Sequence, residues 1–242
     1  MKTIMMATYN RLELTKKTME SLEKTVSNFP QIVIVDNGST DGTVDYLKEY
    51  MKDKTGKLIL NTENAGICKA RNQALWAADQ IGTDWYCTLD NDVEMPVGWL
   101  EECIGILQAN PVYGAIGVNF ESQTYPLVKG GGYEFQHKPR GNLGTACMVF
   151  GKKLHKSIGF FKSYGTRYGL EDSDFGMRAQ FFGFKLGYIK ENGIHLGVGE
   201  FDTGEYRRWK THEHDSKVQE FRHNCALYSQ GKLPIYVSYK ED

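Results

Sequence analysis

The chain predicts an α/β fold with a Rossmann-like, mostly parallel central sheet and helices on both faces. Three observations predict it. Short β-branched or apolar runs alternate with longer helical stretches through the first half, the rhythm of parallel strands joined by crossover helices. Each apolar run ends in a polar or glycine-containing loop, the place where open α/β sheets carry their ligands. The 242 residues carry 29 Lys+Arg against 30 Asp+Glu, with 40% hydrophobic and 24% charged residues. Those proportions describe a soluble globular chain long enough to bury a sizeable core, and they exclude a disordered or fibrous one.

The elements follow in order. Strands are expected at Thr3–Ala7, Gln31–Val35, Lys57–Leu60, Trp85–Leu89 and Ala115–Val118, each short, apolar and followed by turn residues. Helices fill the gaps. The first runs from Leu12 to about Val26 with Leu14, Met19, Leu22 and Val26 on one face, and the third, Ile67 to Ala78, is rich in alanine. After about residue 119 the rhythm changes: three glycines at Gly130, Gly131 and Gly132 precede a helical stretch from Leu170 to Phe182. The stretch from Glu205 to Tyr228 sets Trp209, Phe221 and Leu227 among charges and reads as a helix laid over the body. No linker composition interrupts the chain, so one continuous domain is expected.

No apolar run approaches the roughly 18 residues that cross a bilayer, and the start of the chain turns polar too soon for a secretory h-region. A cytoplasmic protein is expected, with peripheral contact at a membrane surface left open. Cys68, Cys87, Cys103, Cys147 and Cys225 are odd in number, scattered and without a C-x-x-C pair. They read as reduced, mostly buried thiols rather than a disulfide framework or zinc knuckle.

Four strand-end segments and two later ones carry the residue types of a site. Thr8-Tyr9-Asn10-Arg11 follows the first strand, and Asp36-Asn37-Gly38-Ser39-Thr40-Asp41-Gly42-Thr43 follows the second. Turn and cap chemistry explains Ser39–Thr43 as well as function does, whereas a strand-end carboxylate such as Asp36 can read a base or ribose. Asn64-Ala65-Gly66 opens the alanine-rich helix, and Arg71 in its first turns has the permanently charged, bidentate head that suits a diphosphate. Asp90-Asn91-Asp92 ends an apolar strand. Two carboxylates one residue apart repel unless compensated, and a hard divalent ion bridging to phosphate would compensate them; a solvated acidic turn is the alternative. Glu171, Asp172 and Asp174 crowd the start of a helix, where acids are favoured by about 0.3–1 kcal/mol each but where an adjacent pair also suits a proton acceptor. His195 lies among apolar and small residues, and spacing alone does not separate a core histidine from a ligand. Neither G-x-G-x-x-G nor G-x-x-x-x-G-K-[ST] occurs.

In this order, Thr8-Tyr9-Asn10-Arg11, the Asp36–Thr43 segment, Asn64-Ala65-Gly66 through Arg71, Asp90-Asn91-Asp92 as a D-x-D and Glu171-Asp172-Ser173-Asp174 as an ED motif resemble the family 2 glycosyltransferases of GT-A fold. The resemblance spans Thr3 to about His195. It implies an inverting glycosyltransferase of hexosyl or N-acetylhexosaminyl type. The donor would be a nucleotide diphosphate sugar, usually a UDP-sugar, and Mn²⁺ or Mg²⁺ would bridge its diphosphate. It further implies that Thr8 and Asp36 hold the uracil and ribose side, with Tyr9, Asn10, Arg11, Asn37, Asn64, Gly66, Asp90 and Asn91 also at the donor. Arg71 would approach the nucleotide or its diphosphate. Asp92 and His195 would ligate the metal, with Asp90 touching ribose or metal. Asp172 would be the general base and Glu171 its neighbour. The same resemblance divides the chain into a nucleotide-sugar half (1–118), an acceptor and catalytic half (119–204) and a C-terminal helical extension (205–242).

Between Glu134 and Glu171 lie Lys138, Arg140, Lys152, Lys153, Lys156, Lys162 and Arg167 and no acid. An anionic acceptor is one reading, such as a phospholipid-linked glycan, a polyanionic polymer or a modified DNA base; a solvated basic face is the other. In the His212-Glu213-His214-Asp215 run i and i+2 point to different faces of a helix, so no second metal site is expected there and the run reads as the polar face of the last helix. Two other classes compete: a nucleotidyltransferase, for which Thr8–Arg11 offers no glycine-rich phosphate loop, and a non-catalytic sugar-binding module of the same fold, against which Asp92 and Asp172 are both retained.

Overall fold

A computed structural model describes residues 1–197 and 204–239. Residues 198–203 and 240–242, which fall within the expected acceptor half and C-terminal extension, lie outside the described residues. In chain order the elements are β1 (Lys2–Thr8), α1 (Leu12–Thr25), β2 (Gln31–Asp36), α2 (Thr43–Tyr50), a 3₁₀ turn (Met51–Asp53), β3 (Gly56–Leu60), α3 (Ile67–Gln80), β4 (Trp85–Leu89), β5 (Val93–Glu94), α4 (Trp99–Ala109) and β6 (Tyr113–Asn119). The second half adds β7 (Leu127–Gly130), β8 (Tyr133–Lys138), β9 (Cys147–Gly151), α5 (Lys152–Ile158), α6 (Glu171–Phe181), β10 (Lys185–Asn192), β11 (Ile194–His195) and α7 (Gly204–Ser229).

One nine-stranded sheet runs in the order β3-β2-β1-β4-β9-β6-β10-β8-β7, and a two-stranded ladder pairs β5 with β11. In the large sheet β3, β2, β1, β4, β6, β10 and β7 point one way, and only β9 and β8 run against them. The first half therefore has the expected parallel order. β9 departs from that rhythm by inserting antiparallel between β4 and β6. Its first four residues are buried, so it is a short apolar run with no alternation to announce its direction.

Period-two alternation builds the two helical layers. Ile4, Met6, Ile32, Ile34 and Leu89 pack on one face with Met19 and Leu22 of α1, Leu47 of α2 and Trp99 and Leu100 of α4. Met5, Val33, Val35 and Tyr86 pack on the other with Ala70, Ala74 and Ala78 of α3, Leu154 of α5 and Phe175 and Ala179 of α6. Each Val, Leu, Ile, Phe or Met side chain among them, fully buried, is worth about 1.5–3 kcal/mol. Small residues on α3 let that helix sit close on the sheet. Cys68, Cys87, Cys103 and Cys147 are buried and free, as expected of reduced thiols. No helix among the described residues is long and apolar enough to cross a membrane.

β1 lies between β2 and β4. The chain leaves β1 toward β2 on one side and later returns to β4 on the other, so a crevice opens beyond the carboxyl ends of β1 and β4. The segments 8–11 and 90–92 flank it.

Candidate active site

The loop after β1 takes an uncommon path. Asn10 and Arg11 both have left-handed backbone, φ 55° and 64°, and the loop after β2 holds them there. Asn10 N–H donates to Ser39 Oγ at 2.7 Å, Thr40 N–H to Asn10 Oδ1 at 2.9 Å, and Leu12 N–H to Asp41 Oδ2 at 3.0 Å. Asp36 is fully buried and spends its carboxylate on its own turn: Gly38 and Ser39 N–H donate to Oδ1 and the Ser39 hydroxyl donates to Oδ2. Asn37 accepts from Asn61 Nδ2 and Ala65 N–H and donates to Asn64 Oδ1, which ties the β2 loop to the start of α3.

The turn after β4 is fixed on three sides. Asp90 N–H donates to Ala146 O just ahead of β9. Asn91 is buried and donates to the hydroxyls of Thr8 and Thr15 at 3.0 and 2.9 Å, so its amide anchors the turn. Asp92 is buried, its Oδ2 receives Arg11 Nη1 at 2.7 Å, and its carbonyl accepts Leu196 N–H at 2.7 Å. The β5–β11 ladder sets His195 opposite Val93, which brings a histidine from the far half of the chain to the aspartate. His195 Nε2 stands 3.8 Å from Asp92 Oδ1, too far for a hydrogen bond, and its buried Nδ1 has no partner.

Arg71 joins the two acidic motifs. Buried on α3, it donates from Nη2 to Asp90 at 2.9 Å and from Nη1 to Glu171 at 3.1 Å. Burial pushes the Glu171 carboxyl up to about 7, with Arg71 opposing the rise and Asp172 and Asp90 adding to it; Glu171 Oε2 is buried without a partner. Asp172 accepts from Ser173 N–H at 2.5 Å and from Asn142 Nδ2 at 3.1 Å. Gly176 makes room for that second bond, since a Cβ there would lie 2.7 Å from Asn142 Cα. The third acid, Asp174, is fully buried and turns away. It pairs with Nε of Arg178 and accepts the hydroxyls of Tyr164 and Tyr228 at 2.9 and 3.0 Å. Arg178 in turn donates to the carbonyls of Ile158, Phe160 and Ile235.

These groups line one cavity of about 810 Å³. Thr8, Tyr9, Asn10, Arg11, Asn37, Asn64, Arg71, Asp90, Asn91, Asp92, Glu171, Asp172 and His195 all reach it. Two expected donor residues do not: Asp36, whose oxygens are consumed in its turn, and Gly66, whose positive φ and close approach to Arg167 Cα serve the packing of the α3 start. Sequence reasoning did not place Thr145, Trp209 and His214 here, and they line the wall with Arg167 of the basic segment. The His212–Asp215 run is thus not only a polar face, because His214 turns into the cavity and Glu213 accepts Arg167 N–H at 2.8 Å.

The basic residues of the acid-free segment do not form one surface. Lys152 stands 3.8 Å from Asp84, at the sheet end opposite the cavity, Lys153 covers the Phe184 ring, and Lys138 is held by Tyr125 and Tyr188. Arg167 is the member that lines the cavity.

A divalent ion suits Asp92 and His195, whose Oδ1 and Nε2 converge at 3.8 Å with no hydrogen bond between them. Among the described residues no group of three or more His, Cys, Asp or Glu could hold a metal alone, so phosphate and water would complete the shell, as hard ions in phosphate sites allow. Asp90 is turned toward Arg71 instead.

A family model for glycosyl transferase family 2 matches residues 3–168. The chain belongs to glycosyl transferase family 2. This glycosyltransferase is 25% identical over 253 residues to the glycosyltransferase EpsH of Bacillus subtilis, covering 96% of the chain and 71% of that relative. Two solved structures share its fold. The Pyrobaculum calidifontis mannosyltransferase PcManGT, in complex with GDP-Man and Mn²⁺, superposes with TM-score 0.61 at 18% identity, covering 96% of this chain and 72% of that one. Staphylococcus aureus TarS 1–349 in complex with UDP gives 0.61 at 19% identity, over 94% and 70%. The fold of this glycosyltransferase is accordingly GT-A.

Proposed function

We propose that this glycosyltransferase acts with inversion and with a divalent ion, moving a hexosyl or N-acetylhexosaminyl group from a UDP-sugar to a hydroxyl. The observation that carries the reading is that Asp172, on the first turn of α6, and the Asp92–His195 pair, at the β5–β11 ladder, line one cavity. Its volume lies in the range of small-molecule sites.

Asp172 is the general base. As the acceptor oxygen forms its bond to the anomeric carbon, the acceptor proton passes to a free lone pair of Asp172, and the bond to the diphosphate breaks with its electron pair on the leaving oxygen. A single displacement inverts the centre and needs no covalent sugar intermediate. Asn142 holds one Asp172 oxygen and Ser173 N–H the other, which fixes the carboxylate for in-line proton transfer. Mn²⁺ or Mg²⁺ held by Asp92 and His195 would supply neutralisation of the charge that develops on the departing diphosphate. Arg71 keeps Asp90 and Glu171 in register, so the donor and acceptor sides are joined by one guanidinium.

The acceptor enters past Trp209, His214 and Arg167. An anionic acceptor, whether a phospholipid-linked glycan, a polyanionic polymer or a modified DNA base, is supported by Arg167 alone and should lose affinity steeply with salt. A cytoplasmic location, peripheral at a membrane surface where the acceptor is lipid-linked, belongs to the same proposal.

Thermal denaturation against UDP, GDP, CDP and dTDP, each with Mn²⁺ and with chelator, tests the donor half without an acceptor. Binding at a hundred times Kd stabilises by about 2.7 kcal/mol, and UDP with Mn²⁺ is expected to give the largest shift. Asp172→Asn should keep that shift and abolish transfer. Transfer at near wild-type rate would overturn the base assignment, and no shift with any nucleotide would favour the non-catalytic reading.

A further inference from the structure

Arg11 is aimed inward by its own backbone. With Asn10 and Arg11 both left-handed and pinned by Ser39, Thr40 and Asp41, the residue that begins α1 turns its side chain toward the turn after β4. Its Nη1 meets Asp92 Oδ2 at 2.7 Å, with the guanidinium 23% and the carboxylate 6% exposed. On another side of that oxygen stands Gly197, where a Cβ would lie 2.4 Å from it. A buried carboxylate needs compensation, and a guanidinium is always charged. Asp92 therefore has a cation supplied by the chain itself on Oδ2, while its other oxygen, Oδ1, stands 3.8 Å from His195 Nε2.

We propose that Arg11 is a resident cation that competes with the divalent ion for Asp92, and that the donor diphosphate relieves the competition by drawing Arg11 to itself. The proposal rests on the reading of Asp92 as an ion ligand. A guanidinium on Oδ2 and a dication on Oδ1 would share one carboxylate at close range and repel strongly. A diphosphate offers Arg11 two charges and a bidentate surface in place of Asp92. Arg11 thus makes the empty enzyme a poor metal site and the donor-loaded enzyme a good one, so ion and donor bind as a pair. The coupling is reciprocal, because whatever the nucleotide adds to ion affinity the ion adds to nucleotide affinity.

The test is a Mn²⁺ titration read from the electron paramagnetic resonance of free Mn²⁺, which needs no turnover. Wild type, Arg11→Gln, Arg11→Ala and Arg11→Lys are compared with and without UDP, and a melt in chelator shows that each is folded. Without nucleotide, removal of the cation in Arg11→Gln or Arg11→Ala should tighten Mn²⁺ about ten-fold, within the usual range for coupled sites. Arg11→Lys, which keeps the charge, should stay near wild type. UDP should then tighten Mn²⁺ by a larger factor in wild type than in Arg11→Gln. Equal or weaker Mn²⁺ binding in both neutral variants, with wild type binding Mn²⁺ in the presence of UDP, would overturn the proposal and leave the functional reading standing. Absence of Mn²⁺ binding in every protein with UDP present would overturn both.

Discussion

Glu171 is an acid whose surroundings favour its proton. Burial raises its carboxyl to about 7, Arg71 limits the rise, and Asp172 and Asp90 repel the anion. An acid held above its ordinary value binds its proton more tightly in the folded chain than in the unfolded one. Stability from this group is therefore complete at low pH and falls as pH rises from the unfolded value of 4.5 through about 7. Glu171→Gln removes the titration while keeping the shape and a hydrogen-bonding head. The Tm difference, variant minus wild type, should be more positive at pH 8 than at pH 5; a difference that is flat or reversed would show that Arg71 holds Glu171 ionised throughout. Thr8–Arg11, Asn37 and Asp90–Asp92 were legible because they follow apolar strands, and Glu171 and Asp172 because acids crowd a helix start. Asp36 was legible as a strand-end carboxylate but not as a buried turn acceptor, since both roles call for the same residue in the same place. Trp209 and His214 gave no signal, because nothing local says that a charged helix late in the chain crosses a cavity built by earlier segments of both halves.

At the scale of the element, α1 shows what periodicity reads and what it passes over. Leu14, Met19 and Leu22 form the expected apolar face and are buried. Beside them runs a second stripe, Thr15, Thr18 and Ser21, also buried, and its hydroxyls serve the segment after β4: Thr15 takes Asn91 Nδ2, Thr18 accepts Val93 N–H at 2.9 Å, and Ser21 accepts Met95 N–H at 2.9 Å. Hydroxyls three apart on a helix look like a solvent face in sequence, yet here they replace a neighbouring strand. Thr18→Val preserves the shape and orphans the Val93 amide, which costs about 1–3 kcal/mol. Thermal or urea denaturation should show that loss, and a change within error would mean that water satisfies the amide. α6 carries the same lesson in charge. Its three acids look alike in sequence, but Glu171 and Asp172 face the cavity while Asp174 joins Arg178, Tyr164 and Tyr228 in a buried hub, so one element both presents the proposed base and fastens α7 to the body.

Across the whole molecule, strain and topology converge on the same place. Asn10, Arg11 and Leu170 are the non-glycine residues with positive φ among those described, and all three line the cavity. Left-handed backbone costs about 1–2 kcal/mol per residue, and such strain collects where geometry is needed for function. Asn10 and Arg11 come from the first half and Leu170 from the second, so the rest of the fold must hold both halves in place. The sheet is the means: β9 of the second half lies directly between β4 and β6 of the first. This insertion was hidden from sequence, because an antiparallel strand from residue 147 has no local mark that sends it to the middle of the sheet. It also predicts how the chain unfolds. Halves that share a sheet interior cannot separate without breaking both ladders of β9, so one cooperative transition is expected. Three of the four tryptophans, Trp76, Trp85 and Trp99, weight the fluorescence toward the first half, while far-UV circular dichroism reports every helix and strand. The two urea curves should coincide, and UDP with Mn²⁺ should move both midpoints together by the same amount. Separate midpoints, or a ligand shift in fluorescence alone, would mean that the nucleotide-sugar half folds as its own unit and that the second half docks onto it.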